Sequence, residues 1–322
     1  MSDTINKILE EIILVQKKDP HGIITNVELI RGIAKKVINA IKDSQKIIDV
    51  EEIFRVFVFF PDYSFVNCLL IYDQFPNAIS LATYSTWNTK YRRKVLEGQK
   101  AIKIISPIVK KVGSEDLDIT KYEISGFRVI PVFDITQTRP ISPRYRERVP
   151  PRIKEIPIYK EPRGEEIIEI KRHMFDILYD YIESSNINIE FKGAREMGEL
   201  KVTADKYGIY INSMYKEDKH DLFFPLVAAY SVYREHYVFD EDTNTYVLND
   251  KFNRGHAMLE SESVTHIVAK HIGVPHDLPE SHYIIWRTRD EYIEGLQNVH
   301  ALSREVIQIL TGKEIIIDTL GD

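Results

Sequence analysis

Between residues 25 and 44, Val27, Ile30, Ile33, Val37 and Ile41 recur at steps of three and four. That is the period of an amphipathic helix. Asn26 is placed to cap it, with Glu28 in its first turn. Residues 4–18 repeat the period and predict a helix before it. IFRVFVFF at 53–60 is apolar and rich in β-branched and aromatic residues, so periodicity alone leaves strand and helix open. Tyr63 to Asp73 reads as a helix stopped by Pro76. Strand-like segments run from Ala101 to Val112 and from Gly126 to Phe133, with a polar, acidic connection between them, which predicts an antiparallel pair.

Six prolines fall between residues 140 and 162, where neither a helix nor a central strand can persist. Arg139, Arg144, Arg146, Arg148, Arg152 and Lys154 make this segment a charged, solvated spacer that can add phosphate contacts. Helical periodicity returns over 166–184, with Ile168, Ile170, Met174, Ile177, Leu178 and Tyr181 broadly on one side. Short strands follow in NIEFKGA, GELKVTADKYG and IYINSMY. Helices are then expected from about Asp221 to His236, Asn253 to Ile272 and Arg289 to Leu310; Gly273 and Pro275 stop the second.

A chain of 322 residues can bury two cores. No apolar run approaches a membrane span, and MSDTINKILEE lacks a basic start, a signal core and a cleavage site, so a cytoplasmic protein is expected. The single cysteine, Cys68, excludes an internal disulfide and a thiolate metal cluster. Leu69, Leu70 and Ile71 beside it predict a buried, inert thiol.

Charge changes the picture locally. The net charge is -6, yet Lys90, Arg92, Arg93, Lys94, Lys100, Lys103, Lys110 and Lys111 stand against one acid, Glu97. They follow Tyr63, Phe65, Tyr72, Phe75, Tyr84, Trp87 and Tyr91. A positive groove with aromatic platforms is how unpaired nucleic-acid strands are held, although most such rings in an apolar stretch belong to a core.

YSFVN, LLIYDQFPNA, Trp87, KYRRKVLEGQKAIKIISP and GFRVIPVFDITQT together resemble the amino-terminal domain of the ArdC family of antirestriction proteins, over roughly residues 50 to 138. Ala101 departs from the glycine usual there. The resemblance implies single-stranded DNA binding in a protein of a plasmid, conjugative element or phage. The candidate DNA-contacting residues are Tyr63, Asn67, Gln74, Trp87, Arg92, Arg93, Lys94, Lys100 and Lys103.

The order of elements after the linker resembles the zinc peptidase domain of ArdC relatives and the ImmA/IrrE group. The fold expected is thus α+β in two domains: a helical and antiparallel-strand DNA-binding domain over 1–138, a linker over 139–165, and a metallopeptidase-like domain over 166–322. The family's helix carries His-Glu-x-x-His, whose histidines share one zinc while the Glu activates water. That motif is absent here. Placing LVAAYSVYRE on the motif helix puts Val227 and Ser231 at the metal positions and Ala228 at the base. On a helical wheel Glu260 lies about 40° from Val264, beside Ile267, Val268 and His271, as a relic of the third ligand. Glu262 and His266 fall on the opposite, solvent side.

No catalytic residue, metal or cofactor is expected. The partners expected are single-stranded DNA and a host defence or restriction protein. Two rival readings stay open: an inhibitor acting through the second domain, and a metallopeptidase with rearranged ligands such as His220, His236, His256 and Glu260.

Overall fold

The computed structural model describes residues 35–36, 38–40, 49–112, 121–150, 162–240, 245–249, 253–278 and 289–312. The expected helix over 4–18 lies outside them. Of the helix expected over 25–44 only 35–36 and 38–40 are described, and these are helical. Contacts divide the chain into Met1–Glu155 with Ile316–Asp322, unit 1, and Ile156–Ile315, unit 2. The fold is α+β.

In unit 1 the ambiguous apolar run becomes a helix, α1 (Val50–Phe59). The deciding signal lies just before it. Asp49 accepts a hydrogen bond from the Glu52 backbone N–H at 3.1 Å, and Glu51 and Glu52 favour the positive end of the helix. Ser64 caps α2 (Phe65–Gln74), which is buried from Phe65 to Tyr72 and so serves as a core helix. Cys68 is enclosed there, as expected. After β1 (Leu81–Ala82) come the short α3 (Tyr84–Thr89) and β2 (Arg93–Val95). The expected strand pair is β3 (Ile102–Val112) and β4 (Lys121–Asp134), antiparallel, with a bulge between Ile108 and Val109. The sheet order is β1-β4-β3, which leaves β3 at an edge.

Two side chains of α2 cover that edge. Asn67 donates to the Ile105 carbonyl at 2.8 Å and accepts from the Ile105 N–H at 2.9 Å. Gln74, two turns on, repeats this with Lys103 at 2.9 Å in each direction. Each amide thus stands in for a strand residue and satisfies backbone groups that would otherwise be open for pairing.

Beyond β4, Asp134 is fully buried. One carboxylate oxygen accepts from Ile79 N–H and Ser80 N–H, the other from Thr136 N–H and hydroxyl. Gln137 closes a capping box with it and donates to the Lys100 carbonyl at 2.8 Å. The next residues form β5 (Thr138–Pro140), antiparallel to β2. The start of the expected linker is therefore a strand that pairs within unit 1.

In unit 2, α4 (Glu165–Ser184) buries Phe175, Leu178 and Ile182. A three-stranded sheet follows from β6 (Ile189–Lys192), a one-turn helix α5 (Ala194–Met197), β7 (Val202–Asp205) and β8 (Gly208–Asn212). β8 is central, parallel to β6 and antiparallel to β7. At Gly208 φ is 151°, and a Cβ would meet the Asn188 carbonyl at 2.3 Å, so only glycine suits the turn. Then come α6 (Lys219–His236), the hairpin β9 (Tyr237–Asp240) and β10 (Thr245–Leu248), α7 (Arg254–His271) and α8 (Arg289–Thr311). α6 packs against α4, α7 and α8, and α7 against α8. Glu305 of α8 ties two residues of α6, accepting from the Tyr230 hydroxyl at 2.6 Å and from Arg234 Nε at 2.9 Å. None of the described helices is long and apolar enough to cross a membrane.

Candidate functional site

Alternation along two short strands sorts the cations of unit 1. On β2, Arg93 and Val95 are buried and Lys94 is exposed; on β5, Thr138 is buried and Arg139 exposed. Lys94 lies directly across from Arg139. Among the described residues neither has an ion-pair partner. Arg92, at the end of the ribbon, is exposed and held at φ 54°, a left-handed conformation costly for a side chain with a Cβ. The Ile141 N–H holds it by donating to the Arg92 carbonyl at 2.9 Å. The turn after β5 adds exposed Arg144, Arg146 and Arg148, and Arg144 and Arg148 both lie on the Tyr145 ring, at 4.6 and 5.1 Å from its centre. Tyr84, at the start of α3, is 54% exposed.

The structure divides the residues that the resemblance implicates. Trp87 is 0% exposed, packs with Val95 and Ile135, and donates Nε1–H to the Phe133 carbonyl at 2.8 Å. It is a core residue and offers no face to a base, which corrects the expectation. Asn67 and Gln74 are likewise corrected: their amides are spent on β3. Arg93 is buried, with Nε–H donating to the Thr138 hydroxyl at 2.7 Å and a terminal N–H to the Thr138 carbonyl at 3.2 Å. It stitches the ribbon rather than meeting solvent. Tyr63 is half-buried with its ring 5.3 Å from Phe60, and Lys103 is half-buried. Arg92, Lys94 and Lys100 are exposed, while the side chains of Lys110 and Lys111 lie outside the described residues. Arg139 was read as part of a spacer that can add phosphate contacts, not as a residue of the candidate site. The signal for it was the alternation in Arg93–Val95 and Thr138–Pro140, segments too short to pair on pattern alone.

Unit 2 carries a second, acidic site. At the positions where the peptidase motif would fall, Val227 and Ser231 are buried, and the Ser231 hydroxyl donates to the Val227 carbonyl at 2.8 Å. These residues do not fit a zinc ion. Side chains of ligating type gather instead at the carboxy-terminal end of α6, where Glu235 and His236 meet Glu260 of α7. His236 Nε2 lies 3.8 Å from Glu235 Oε2 and 3.9 Å from Glu260 Oε2. Of the rearranged set weighed from sequence, His236 and Glu260 come together and His256 lines the same cavity. His220 instead neighbours Asp221, at 3.6 Å. Glu235 was not foreseen, because no pattern marks it.

The cavity is about 330 Å³. Glu291 and Glu294 of α8 add to its acidity, and among the described residues no Lys or Arg lines it. Asn298 donates to Glu235 Oε1. Burial and the neighbouring Glu235 raise the Glu260 pKa, burial raises that of Glu235, and burial lowers that of His236. Glu262 is half-buried with its pKa raised by burial, and the His266 ring is half-buried, 5.9 Å from that of His276. The expectation of a solvent-facing pair is corrected by the packing of that side of α7.

No family model matches the chain, and no curated protein matches it. Among solved structures the chain is similar to the antirestriction ArdC protein from the R388 plasmid. The metal-free structure aligns with TM-score 0.41 and 11% identity, over 89% of this chain and 99% of that one. The Mn(II)-bound structure aligns with TM-score 0.41 and 10% identity, over 88% and 97%. Identity and score this low leave both sites to be read from their own residues.

Proposed function

We propose that this is a single-stranded-DNA-binding protein of the antirestriction type, carried by a mobile element or phage and acting in the cytoplasm against a host restriction or defence protein. The DNA-binding part is residues 1–138 extended through the turn to Arg148; residues 166–322 form the second domain. The observation that carries the reading is Lys94 directly opposite Arg139 on an exposed ribbon. Like charges in that position destabilise a strand pair, and a phosphate between them removes the cost. Arg92 and the three arginines of the following turn extend the cationic track. Tyr84 supplies an exposed ring on which an unpaired base can stack. The motifs shared with the antirestriction family over residues 50–138 support DNA as the polyanion. With Val227, Ala228 and Ser231 on α6, unit 2 has no metallopeptidase motif, and we read it as a binding domain.

The test is Lys94→Glu in the full chain. A glutamate there would pair with Arg139, so thermal stability should hold or rise by about 0.2–1 kcal/mol. Affinity for a labelled single-stranded oligonucleotide should fall. Unchanged affinity would remove the ribbon from the interface.

A further inference from the structure

We infer that Glu235, His236 and Glu260 form a binding site for one divalent transition-metal cation, with a ligand set of one imidazole and two carboxylates. This differs from the two-histidine helix motif of the peptidase family and draws on none of its positions on α6. Adjacent residues rarely converge from one helix, but Glu235 and His236 end α6, where it packs on α7, and both reach Glu260 there. One ligand atom from each of the three lies within 4.8 Å of the other two. Bonds of about 2.0–2.2 Å at tetrahedral angles set ligand atoms roughly 3.4 Å apart. The observed 3.8 and 3.9 Å need a contraction within the reach of side-chain torsions.

A cluster of acids alone proves little, and the decisive feature is the burial of Glu260 with one oxygen left unsatisfied. It is 4% exposed, and its Oε2 is sealed from solvent and receives no hydrogen bond. Among the described residues no Lys or Arg lines the cavity to balance it. A buried carboxylate oxygen without a hydrogen bond lacks the compensation that burial demands, and His236 Nε2, at 3.9 Å, stands beyond hydrogen-bond reach of it. A metal ion would give that oxygen a partner and turn two adjacent carboxyls into ligands. The imidazole selects against magnesium and calcium and in favour of zinc, and the two carboxylates also admit manganese. Asn298, donating to the other oxygen of Glu235, orients that ligand from outside.

The experiment uses the full chain, stripped with a chelator and dialysed, and titrated calorimetrically with Zn²⁺, Mn²⁺ and Mg²⁺ separately. One Zn²⁺ or Mn²⁺ per chain is expected, with a rise in thermal midpoint and far weaker Mg²⁺ binding. Glu260→Gln and His236→Asn should each weaken binding by more than the roughly tenfold to hundredfold that losing an outer partner costs. Glu262→Gln, off the cavity, should leave it unchanged. Absence of Zn²⁺ and Mn²⁺ binding up to millimolar concentrations, or affinity unaffected by both variants, overturns the site. Should a variant not fold, pulsed EPR of Mn²⁺ on the unaltered chain decides: coupling to one imidazole nitrogen supports the site, and none overturns it.

Discussion

The β2–β5 ribbon of unit 1 sets Lys94 and Arg139 side by side in water, whereas the cavity of unit 2 sets Glu235 and Glu260 side by side away from it. In water the like pair costs tenths of a kcal/mol and salt screens it, so both charges persist and await a polyanion. Out of water the like pair cannot stay doubly charged, and a proton is drawn in until a better cation arrives. The same motif, two like charges adjacent, therefore makes a diffuse, salt-sensitive site in one place and a small, coordinating one in the other. Neutral amides follow the reverse rule. In unit 1 Asn67 and Gln74 are turned inward to complete the edge of β3, and their polarity serves the fold.

The sharpest way to break this division is Trp87→Ala. If Trp87 is core, the variant should lose about 3–5 kcal/mol in denaturant unfolding. DNA affinity of whatever fraction stays folded should be unchanged. A stable variant with weak DNA binding would restore the ring to the interface. Next in size, replacing Arg92, Lys94 and Arg139 together by Ala removes three phosphate contacts, and the salt slope of single-strand binding should drop by about 2. Stability should hold, because all three side chains are exposed.

For the buried pair, the sign follows from proton counting. Glu260 is raised above its ordinary 4.5, so the folded state binds more protons than the unfolded state between the two values. Metal-free protein should lose stability as pH rises through that window, by at most about 1.4 kcal/mol per pH unit. Glu260→Gln should flatten the loss. Above about pH 7 the lowered His236 is neutral in both states and adds nothing. Thermal melts from about pH 7 to 8.5 check this, and an unchanged slope would mean the carboxyl is not held protonated. Smallest is Tyr84→Ala, expected to weaken single-strand binding by about 1 kcal/mol if one base stacks there.

Periodicity located the four long helices of unit 2 and the β3–β4 pair because each of those segments is long enough to show its period, whereas the short α5 and the β9–β10 hairpin were not foreseen. It could not decide residues 53–60, where the apolar run is uniform and the choice rests on the Asp49 cap outside it. Motif matching located the right stretch of unit 1 but not the roles within it. Asn67, Gln74, Trp87, Asp134 and Gln137 bond to backbone atoms, often those of distant segments, and nothing local distinguishes a polar clasp from a ligand contact. Glu260 was legible as an inward-facing carboxylate from its place on the wheel. Its partners were not, since Glu235 and His236 reach it only through the packing of α6 on α7.

The central claim, an outward cationic track for unpaired DNA, is tested most directly by titrating the full chain with a labelled single-stranded oligonucleotide and its blunt duplex across a range of salt. Four or five neutralised phosphates, at roughly 0.7 each, should make log K for the single strand fall with log salt at a slope of about 3, with the duplex bound more weakly. A slope near zero, or equal affinity for the duplex, would contradict the account.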